Sequence, residues 1–269
     1  MADHLYDTAR TVEGTGPDLV LIHGMGLNRN MWQWMLPELT ARFRVIRYDL
    51  LGHGDSEAPP ENCSLNDLVD QLDELLVDLG IERAAVAGFS LGGTLAQAFA
   101  AVHPKRATAV AVLNSSYRRD PGQRAAMQKR LRLSVDTGPA ATVDAAIERW
   151  FTQSFRDSRS DVTDLVRTWM LANDPRNYGL IYTVLTEGDD AVLRDGRILA
   201  DAITDIECPA LVLTGEEDAN STPAMAAAVA GAFPNARSAV IPILRHMGLA
   251  EDPDAFNALL VPFFLEASL

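Results

Sequence analysis

Ser90 lies in the pentapeptide Gly-Phe-Ser-Leu-Gly, which occupies residues 88–92 and joins an apolar run at residues 84–87 to a helical pattern at residues 95–102. A sharp turn between a strand and a helix lifts the serine Oγ clear of the backbone, and glycines on both sides prevent clashes with a Cβ. The following helix directs N–H groups and a positive dipole toward the reacting oxygen. The pentapeptide alone would arise by chance in roughly one such chain in twenty, so the assignment of Ser90 as a nucleophile depends on this strand–turn–helix context.

An acid and a histidine follow the serine along the chain, each shortly after a further apolar run. A serine hydroxyl is a weak nucleophile unless a neutral imidazole takes its proton, and a carboxylate must orient that imidazole and stabilise its charged form. We predict that His246 is the base and Asp218 the acid, because Asp218 lies several residues beyond its strand, where a loop can reach the histidine. Glu216 and Glu217 are the alternatives.

Two main-chain N–H groups are expected to bind the negative charge that develops on the substrate oxygen. One belongs to Leu91, the residue after the nucleophile, and the other to Met25 in the sequence His-Gly-Met-Gly at residues 23–26. The glycines on either side of Met25 allow this loop to fold inward. We interpret His23 as a residue that holds the loop by hydrogen bonds.

Short apolar runs alternate with helical patterns, which is typical of βαβ units and of a mainly parallel sheet covered on both faces. The clearest helix covers residues 65–79, starts with a capping box at Ser64 and Asp67, and stops at Gly80. The predicted strands cover residues 19–22, 43–48, 84–87, 109–113, 210–214 and 238–241.

The alternation breaks between about residues 115 and 205, which carry helical patterns at residues 123–133, 142–151, 161–171 and 177–185 and no convincing strand. Ninety residues are too many for a plain crossover between two strands. We therefore predict an α/β core formed by residues 1–114 and 206–269, with residues 115–205 inserted as a helical cap, or lid, over the C-terminal edge of the sheet.

Composition excludes several classes of protein. Hydrophobic residues make up 48% of the 269 residues and charged residues 22%, which is enough for a packed core. The formal net charge is −14 and there is no sustained basic patch, which argues against binding to nucleic acid or to an anionic membrane. An anionic substrate therefore needs a local cation inside its pocket.

The two cysteines, Cys63 and Cys208, are far apart and lack the spacing of a zinc site or a disulfide framework. The N-terminus shows no secretory signal, and no run of about 18 apolar residues occurs. We expect a cytoplasmic protein, a monomer or homo-oligomer, that acts on a small molecule without a metal or cofactor and without nucleic-acid or membrane partners.

With these motifs in order, the chain resembles the α/β-hydrolase superfamily along almost its whole length. Within it, the chain looks most like 3-oxoadipate enol-lactonases and related small carboxylesterases, a similarity carried by residues 149–152 and 173–178. The resemblance implies an α/β-hydrolase fold with a helical cap, and cleavage of a small carboxylic ester or lactone through an acyl-enzyme. The superfamily motifs are HGMG at residues 23–26, YDLLGHGDS at residues 48–56, GFSLGG at residues 88–93, GEED at residues 215–218, and His246.

Other activities on this fold remain open. A serine at the nucleophile position argues against haloalkane dehalogenases and epoxide hydrolases, which use an aspartate there. A C–C bond hydrolase of vinylogous diketo acids and a cofactor-free haloperoxidase or perhydrolase both fit the same residues. A ligand receptor on this fold is disfavoured by the intact triad.

Three residues are candidates for substrate binding. Trp150 offers an apolar wall, while Arg149 beside it and Arg245 beside His246 could pair with a substrate carboxylate. Packing inside the cap and exposure to solvent are the alternative interpretations of these side chains. The enol-lactonases usually carry a small residue at the position of Arg245, which leaves the substrate open.

Overall fold

A seven-stranded sheet runs through the centre of the protein in the computed structural model, which describes residues 6–268. The strands are β1 (Arg10–Glu13), β2 (Asp18–Ile22), β3 (Arg44–Tyr48), β4 (Ala84–Phe89), β5 (Ala107–Leu113), β6 (Ala210–Gly215) and β7 (Ala236–Ile241). Their spatial order is β1-β3-β2-β4-β5-β6-β7, and only β1 is antiparallel to its neighbour among these strands. The predicted mainly parallel sheet is confirmed, with β2–β7 at the six predicted places.

Helices cover both faces of this sheet. Val20 and Ile22 belong to the hydrophobic cluster beneath the helices at Leu65–Asp78 and Leu91–Val102. Leu19 and Leu21 belong to the cluster beneath the helices at Leu36–Thr40 and Pro253–Ala267. Burial on both faces explains why the strand sequences are continuous apolar runs. The helices of the described chain are α1 (Leu36–Thr40), α2 (Leu65–Asp78), α3 (Leu91–Val102), α4 (Pro121–Thr137), α5 (Val143–Trp150), α6 (Gln153–Ser158), α7 (Ser160–Leu171), α8 (Pro175–Glu187), α9 (Leu199–Ala202), α10 (Pro223–Ala232), α11 (Gly248–Glu251) and α12 (Pro253–Ala267).

The predicted helix α2 begins and ends where its sequence signals indicate. The Asp67 carboxylate accepts hydrogen bonds from the Ser64 N–H at 2.8 Å and from the Ser64 Oγ at 2.7 Å. Gly80 follows the helix with φ +65°, a conformation that favours glycine. Strand β1 was not expected, because its four residues are partly exposed at the sheet edge and carry no apolar run.

The long connection between β5 and β6, here called the helical segment (residues 114–209), contains α4 to α9. Helices α4, α5, α7 and α8 occupy the four predicted helical patterns, and α4 packs against α8 while α5 packs against α7. Among its described residues the only β-pairing is an isolated bridge between Val192 and Ile198. The division into a core and a separate cap stays a prediction, and residues 1–5 and 269 of that core lie outside the described residues.

No helix within residues 6–268 combines the length and the apolar character needed to cross a bilayer.

Candidate active site

The turn after β4 presents Ser90 at the carboxyl edge of the sheet. Its backbone has φ 54° and ψ −113°, a strained conformation that costs about 1–3 kcal/mol and persists only where the surroundings enforce it. The Ser90 N–H donates to the Leu113 carbonyl of β5 at 2.9 Å, which fixes the turn to the neighbouring strand. A Cβ at Gly88 would overlap the carbonyl of Gly92, so the close approach within the pentapeptide requires glycine.

His246 and Asp218 form a buried pair, 3% and 2% exposed, in which His246 Nδ1 lies 2.8 Å from Asp218 Oδ2. The Asn114 Nδ2 donates to the same Oδ2 at 2.9 Å, and the N–H groups of Asn220 and Ser221 donate to Oδ1 at 2.8 and 3.0 Å. Because this carboxylate accepts from three other N–H groups, we assign the His246 proton to Nδ1, where it donates to Oδ2. Its Nε2 is then free to take a proton from a hydroxyl.

Two aromatic rings hold the His246 imidazole in place. The Phe89 ring centroid lies 4.9 Å away and that of Trp150 lies 5.7 Å away. Trp150 also contributes its carbonyl, which accepts a hydrogen bond from the Met247 N–H at 2.8 Å. The helical segment thus positions the histidine through both the ring and the backbone of Trp150.

The three consecutive acids at residues 216–218 have different environments. Glu216 is exposed and accepts a hydrogen bond from the Ile243 N–H at 3.0 Å, while the exposed Glu217 pairs with Arg245 at 3.4 Å. Asp218 is the member of this trio that contacts the imidazole.

The loop after β2 lies directly against the nucleophile turn. A Cβ at Gly24 would come within 2.8 Å of the Phe89 ring and 3.2 Å of the Ser90 Cβ, so a larger residue here would displace the Phe89 ring. Within the described chain, the Met25 N–H donates to no other group. Leu91 is the first residue of α3, and its N–H therefore has no acceptor within the helix. Both main-chain donors named from the sequence are available beside Ser90.

Two side chains remote in sequence hold this loop by Gly26. The Gly26 N–H donates to His53 Nε2 at 3.0 Å, and the Asn173 Nδ2 donates to the Gly26 carbonyl at 3.0 Å. Asn173 lies in the helical segment, just after α7. The sequence did not assign either residue to the loop, because neither lies near residue 26 in the chain.

His23 and His53 are buried, neutral histidines. His23 Nδ1 lies 2.8 Å from the Gly24 carbonyl, and its Nε2 accepts from the Leu50 N–H at 2.9 Å. Burial lowers the pKa of His23 to about 4 and that of His53 to about 3. His23 thus holds the loop by hydrogen bonds, as its position in the sequence predicts, and is not available as a cationic acid near neutral pH.

A cavity of about 210 Å³ lies between the nucleophile turn and the helical segment. Ser90, His246 and Met25 line it, and so do the predicted residues Arg149 and Trp150. The helical segment adds further lining residues that the sequence did not single out, since no motif marks them. They include Arg119, Arg130 and Tyr182.

The α/β hydrolase family model matches residues 19–259, about nine-tenths of the chain. This chain belongs to the α/β hydrolase family. The (E)-2-((N-methylformamido)methylene)succinate hydrolase of Acinetobacter baylyi is 31% identical over 245 residues, which cover 91% of this chain and 89% of that relative. The 3-oxoadipate enol-lactonase 2 of the same organism is 27% identical over 241 residues, 90% of this chain and 86% of the lactonase.

The crystal structure of an enol-lactonase from Burkholderia xenovorans LB400 superimposes on this α/β hydrolase with a TM-score of 0.86. The two chains are 29% identical, and the match covers 97% of each. The similarity therefore extends over the sheet and the helical segment alike.

In this hydrolase Arg245 lies outside the cavity that contains Ser90. Its Nη1 donates to the carbonyls of Glu148 and Phe151 at 3.0 and 3.2 Å, and its Nε pairs with Glu217. A cation at the C-terminal end of a helix satisfies free carbonyls and interacts favourably with the helix dipole. Arg245 therefore stabilises the C-terminal end of α5, and it does not line the cavity.

The remaining reactive side chains of the hydrolase do not join the site. Cys63 and Cys208 are half-buried free thiols, and burial raises their pKa values to about 12 and about 11. Both thiols are therefore protonated and weakly nucleophilic near neutral pH. No group of three or more His, Cys, Asp or Glu side chains in residues 6–268 is arranged to hold a metal ion.

Proposed function

We propose that this chain is a serine hydrolase that cleaves a small carboxylic ester or lactone bearing a carboxylate of its own. The observation that carries the proposal is a single cavity that Ser90, His246 and Arg149 line together. Asp218 contacts the Nδ1 of this histidine. The names of the two relatives add support, since one acts on a succinate derivative and the other on an oxoadipate enol-lactone.

In the first half of the reaction, the Ser90 Oγ attacks the substrate carbonyl carbon while His246 Nε2 takes the hydroxyl proton. The carbonyl oxygen becomes negative and is bound by the N–H groups of Met25 and Leu91. The C–O bond then breaks, and the leaving oxygen receives the proton from His246. An ester releases an alcohol at this point, whereas a lactone opens and keeps its hydroxyl on the acyl chain.

In the second half, a water molecule gives a proton to His246 Nε2 and attacks the acyl-enzyme carbonyl. The bond to the Ser90 Oγ breaks, the serine recovers its proton, and the product acid leaves. Asp218 stays ionised throughout and stabilises the imidazolium of each half-reaction.

Arg149 is the residue that we assign to the substrate carboxylate. Arg149 lines the cavity, and its Nε is buried without a hydrogen-bond partner in the described chain. Burial, followed by the nearby charge of Arg130, lowers the pKa of Arg149, so an anion at this point would be stabilising. Trp150 beside it supplies apolar surface next to His246.

The test compares a small ester acid with its methyl-capped analogue. One charge-assisted hydrogen bond contributes about 1.5–3 kcal/mol, so we expect kcat/KM to favour the acid by about 10-fold or more. Arg149→Gln should remove most of this preference. Arg245→Gln, which removes a neighbouring cation outside the cavity, should keep it.

Three other results would contradict this assignment. A preference for neutral long-chain esters would indicate a lipase-like apolar site. Turnover of a vinylogous diketo acid, but of no ester or lactone, would indicate a C–C bond hydrolase. Equal preferences in the Arg149→Gln and wild-type proteins would remove Arg149 from substrate binding.

A further inference from the structure

Three arginines, Arg119, Arg130 and Arg149, line the cavity that contains Ser90. No aspartate or glutamate of the described chain lines it with them. This concentration of positive charge is local, because the whole chain carries a net charge of −14. A single substrate carboxylate would balance only one of the three cations.

Arg119 is the most deeply buried of the three, with 6% of its surface exposed. Its Nη2 donates to the Ser116 Oγ, but its Nη1 is buried and has no hydrogen-bond partner in the described chain. Burial lowers the pKa of Arg119 to about 10, although the charge of Asp189 opposes this effect. A buried guanidinium with an unpaired N–H group is costly unless an anion or another acceptor meets it.

The charge of Asp189 acts on Arg119, but no hydrogen bond joins the two side chains in the described chain. One of its carboxylate oxygens, Oδ2, accepts a hydrogen bond from the Arg118 N–H at 2.7 Å. The other, Oδ1, is buried without a hydrogen-bond partner in the described chain. The Arg119 Nη1 lies against Gly188, where an added Cβ would come within 2.5 Å of it, and it still lacks an acceptor.

Arg130 stands close enough to act on both neighbours. Its charge lowers the pKa of Arg119 and that of Arg149, and its Nε donates to the Tyr182 hydroxyl at 3.2 Å. Like charges held together in a partly dry cavity repel one another, and this repulsion is relieved when an anion binds among them. Arg130 thus repels both Arg149 and the more deeply buried Arg119.

We propose that the cavity holds a second anion subsite, formed by Arg119 and Arg130, so that the substrate is a small ester or lactone with two free carboxylates. Arg149 takes the carboxylate nearer the triad, and the second subsite takes the other. That the ligand is a substrate rests on the proposed function, but binding of an anion to the second subsite can be measured without turnover.

The experiment uses the full-length Ser90→Ala protein and calorimetric titration at pH 7. Two probes share one carbon skeleton: glutarate, which has two charges at this pH, and its monomethyl ester, which has one. We expect the Kd of glutarate to be lower than that of the monomethyl ester by at least about 10-fold, as one added charge-assisted contact predicts.

Substitutions then assign the second charge to its residues. Arg119→Gln and Arg130→Gln, each added to Ser90→Ala, should bring the ratio of the two Kd values close to one. Arg132→Gln removes one positive charge from an exposed position of α4, the helix that carries Arg130, and should leave the ratio of the two Kd values unchanged. If Arg119→Gln does not fold because the side chain is buried, the half-buried Arg130 gives the same readout.

Equal Kd values for the two probes in the Ser90→Ala protein, or no binding of either, would overturn the second subsite. Retention of the glutarate preference in both Arg119→Gln and Arg130→Gln would do the same. Failure of the proposed function would be seen differently, as an absence of ester and lactone turnover by the wild-type protein, whatever the Kd ratio.

Discussion

The Asn173 side chain joins the helical segment to the loop beside Ser90, since its Nδ2 donates to the Gly26 carbonyl at 3.0 Å. The same nitrogen lies 2.9 Å from the carbonyls of Trp169 and Met170 at the end of α7. Three carbonyl oxygens surround this nitrogen, which identifies it as the NH₂ group. The position of the Met25 N–H therefore depends on a residue 147 positions away from Gly26.

Asn173→Ala should lower kcat by about 10-fold while KM changes little, because misplacing an oxyanion donor weakens binding of the transition state more than binding of the substrate. Asn173→Asp should be worse, since its carboxylate would face three carbonyl oxygens. Steady-state kinetics with a small ester gives both constants. Asn66→Ala is the matched control, because it removes an exposed amide-to-carbonyl bond to Val192. A change in KM alone, or an equal fall in kcat in Asn66→Ala, would show that Asn173 does not have this role.

The buried histidines predict how stability responds to pH. His23 and His53 have pKa values of about 4 and about 3 in the folded protein, below the usual value of 6.5, so the unfolded chain binds more protons. Their contribution to stability is complete above pH 6.5 and is lost as the pH falls toward 4. Each histidine adds a slope of up to about 1.4 kcal/mol per pH unit to the free energy of unfolding in this range.

Urea unfolding between pH 7 and pH 4 measures this slope. His53→Gln should be less stable at pH 7, because the bond to the Gly26 N–H is disturbed, and its stability should fall less steeply with acid. An identical slope in His53→Gln and the wild-type protein would show that folding does not lower the pKa of His53.

Asp218 and Glu217 are adjacent carboxylates with different expected effects. Asp218→Asn should lower kcat by about 10³–10⁴-fold, since an amide no longer fixes the Nδ1–H tautomer of His246. Glu217→Gln removes only the exposed pair with Arg245, which contributes less than about 1 kcal/mol, and should leave kcat within about twofold. Comparison of kcat for the two variants decides the assignment. A larger loss in Glu217→Gln would mean that the wrong carboxylate has been chosen.

The sheet and the nucleophile turn could be predicted because their signals are local. The apolar runs fix the buried strands, and the glycines around Ser90 are imposed by close backbone approach. Gly26, after Met25, has φ +76°, a conformation that favours glycine. The edge strand β1 and the helices α6 and α9 could not be predicted, because short or partly exposed elements show little hydrophobic periodicity.

The substrate side of the cavity was harder to predict, because it depends on distances between residues far apart in sequence. Arg245 is next to His246 in the chain, yet its side chain turns to the end of α5. Arg119 and Arg130 belong to no motif, and only the packing of the helical segment brings them to the cavity. Sequence proximity to a catalytic residue was thus a poor guide to proximity in space.

Covalent labelling tests whether Ser90 acts as the nucleophile of the proposed reaction. A serine-directed phosphonate should add once to the wild-type protein, and mass spectrometry of the digested protein should place the adduct on Ser90. Ser90→Ala should take no label and lose at least about 10⁴-fold in kcat, with circular dichroism unchanged. Labelling of a different residue, or full activity in Ser90→Ala, would show that Ser90 is not the nucleophile.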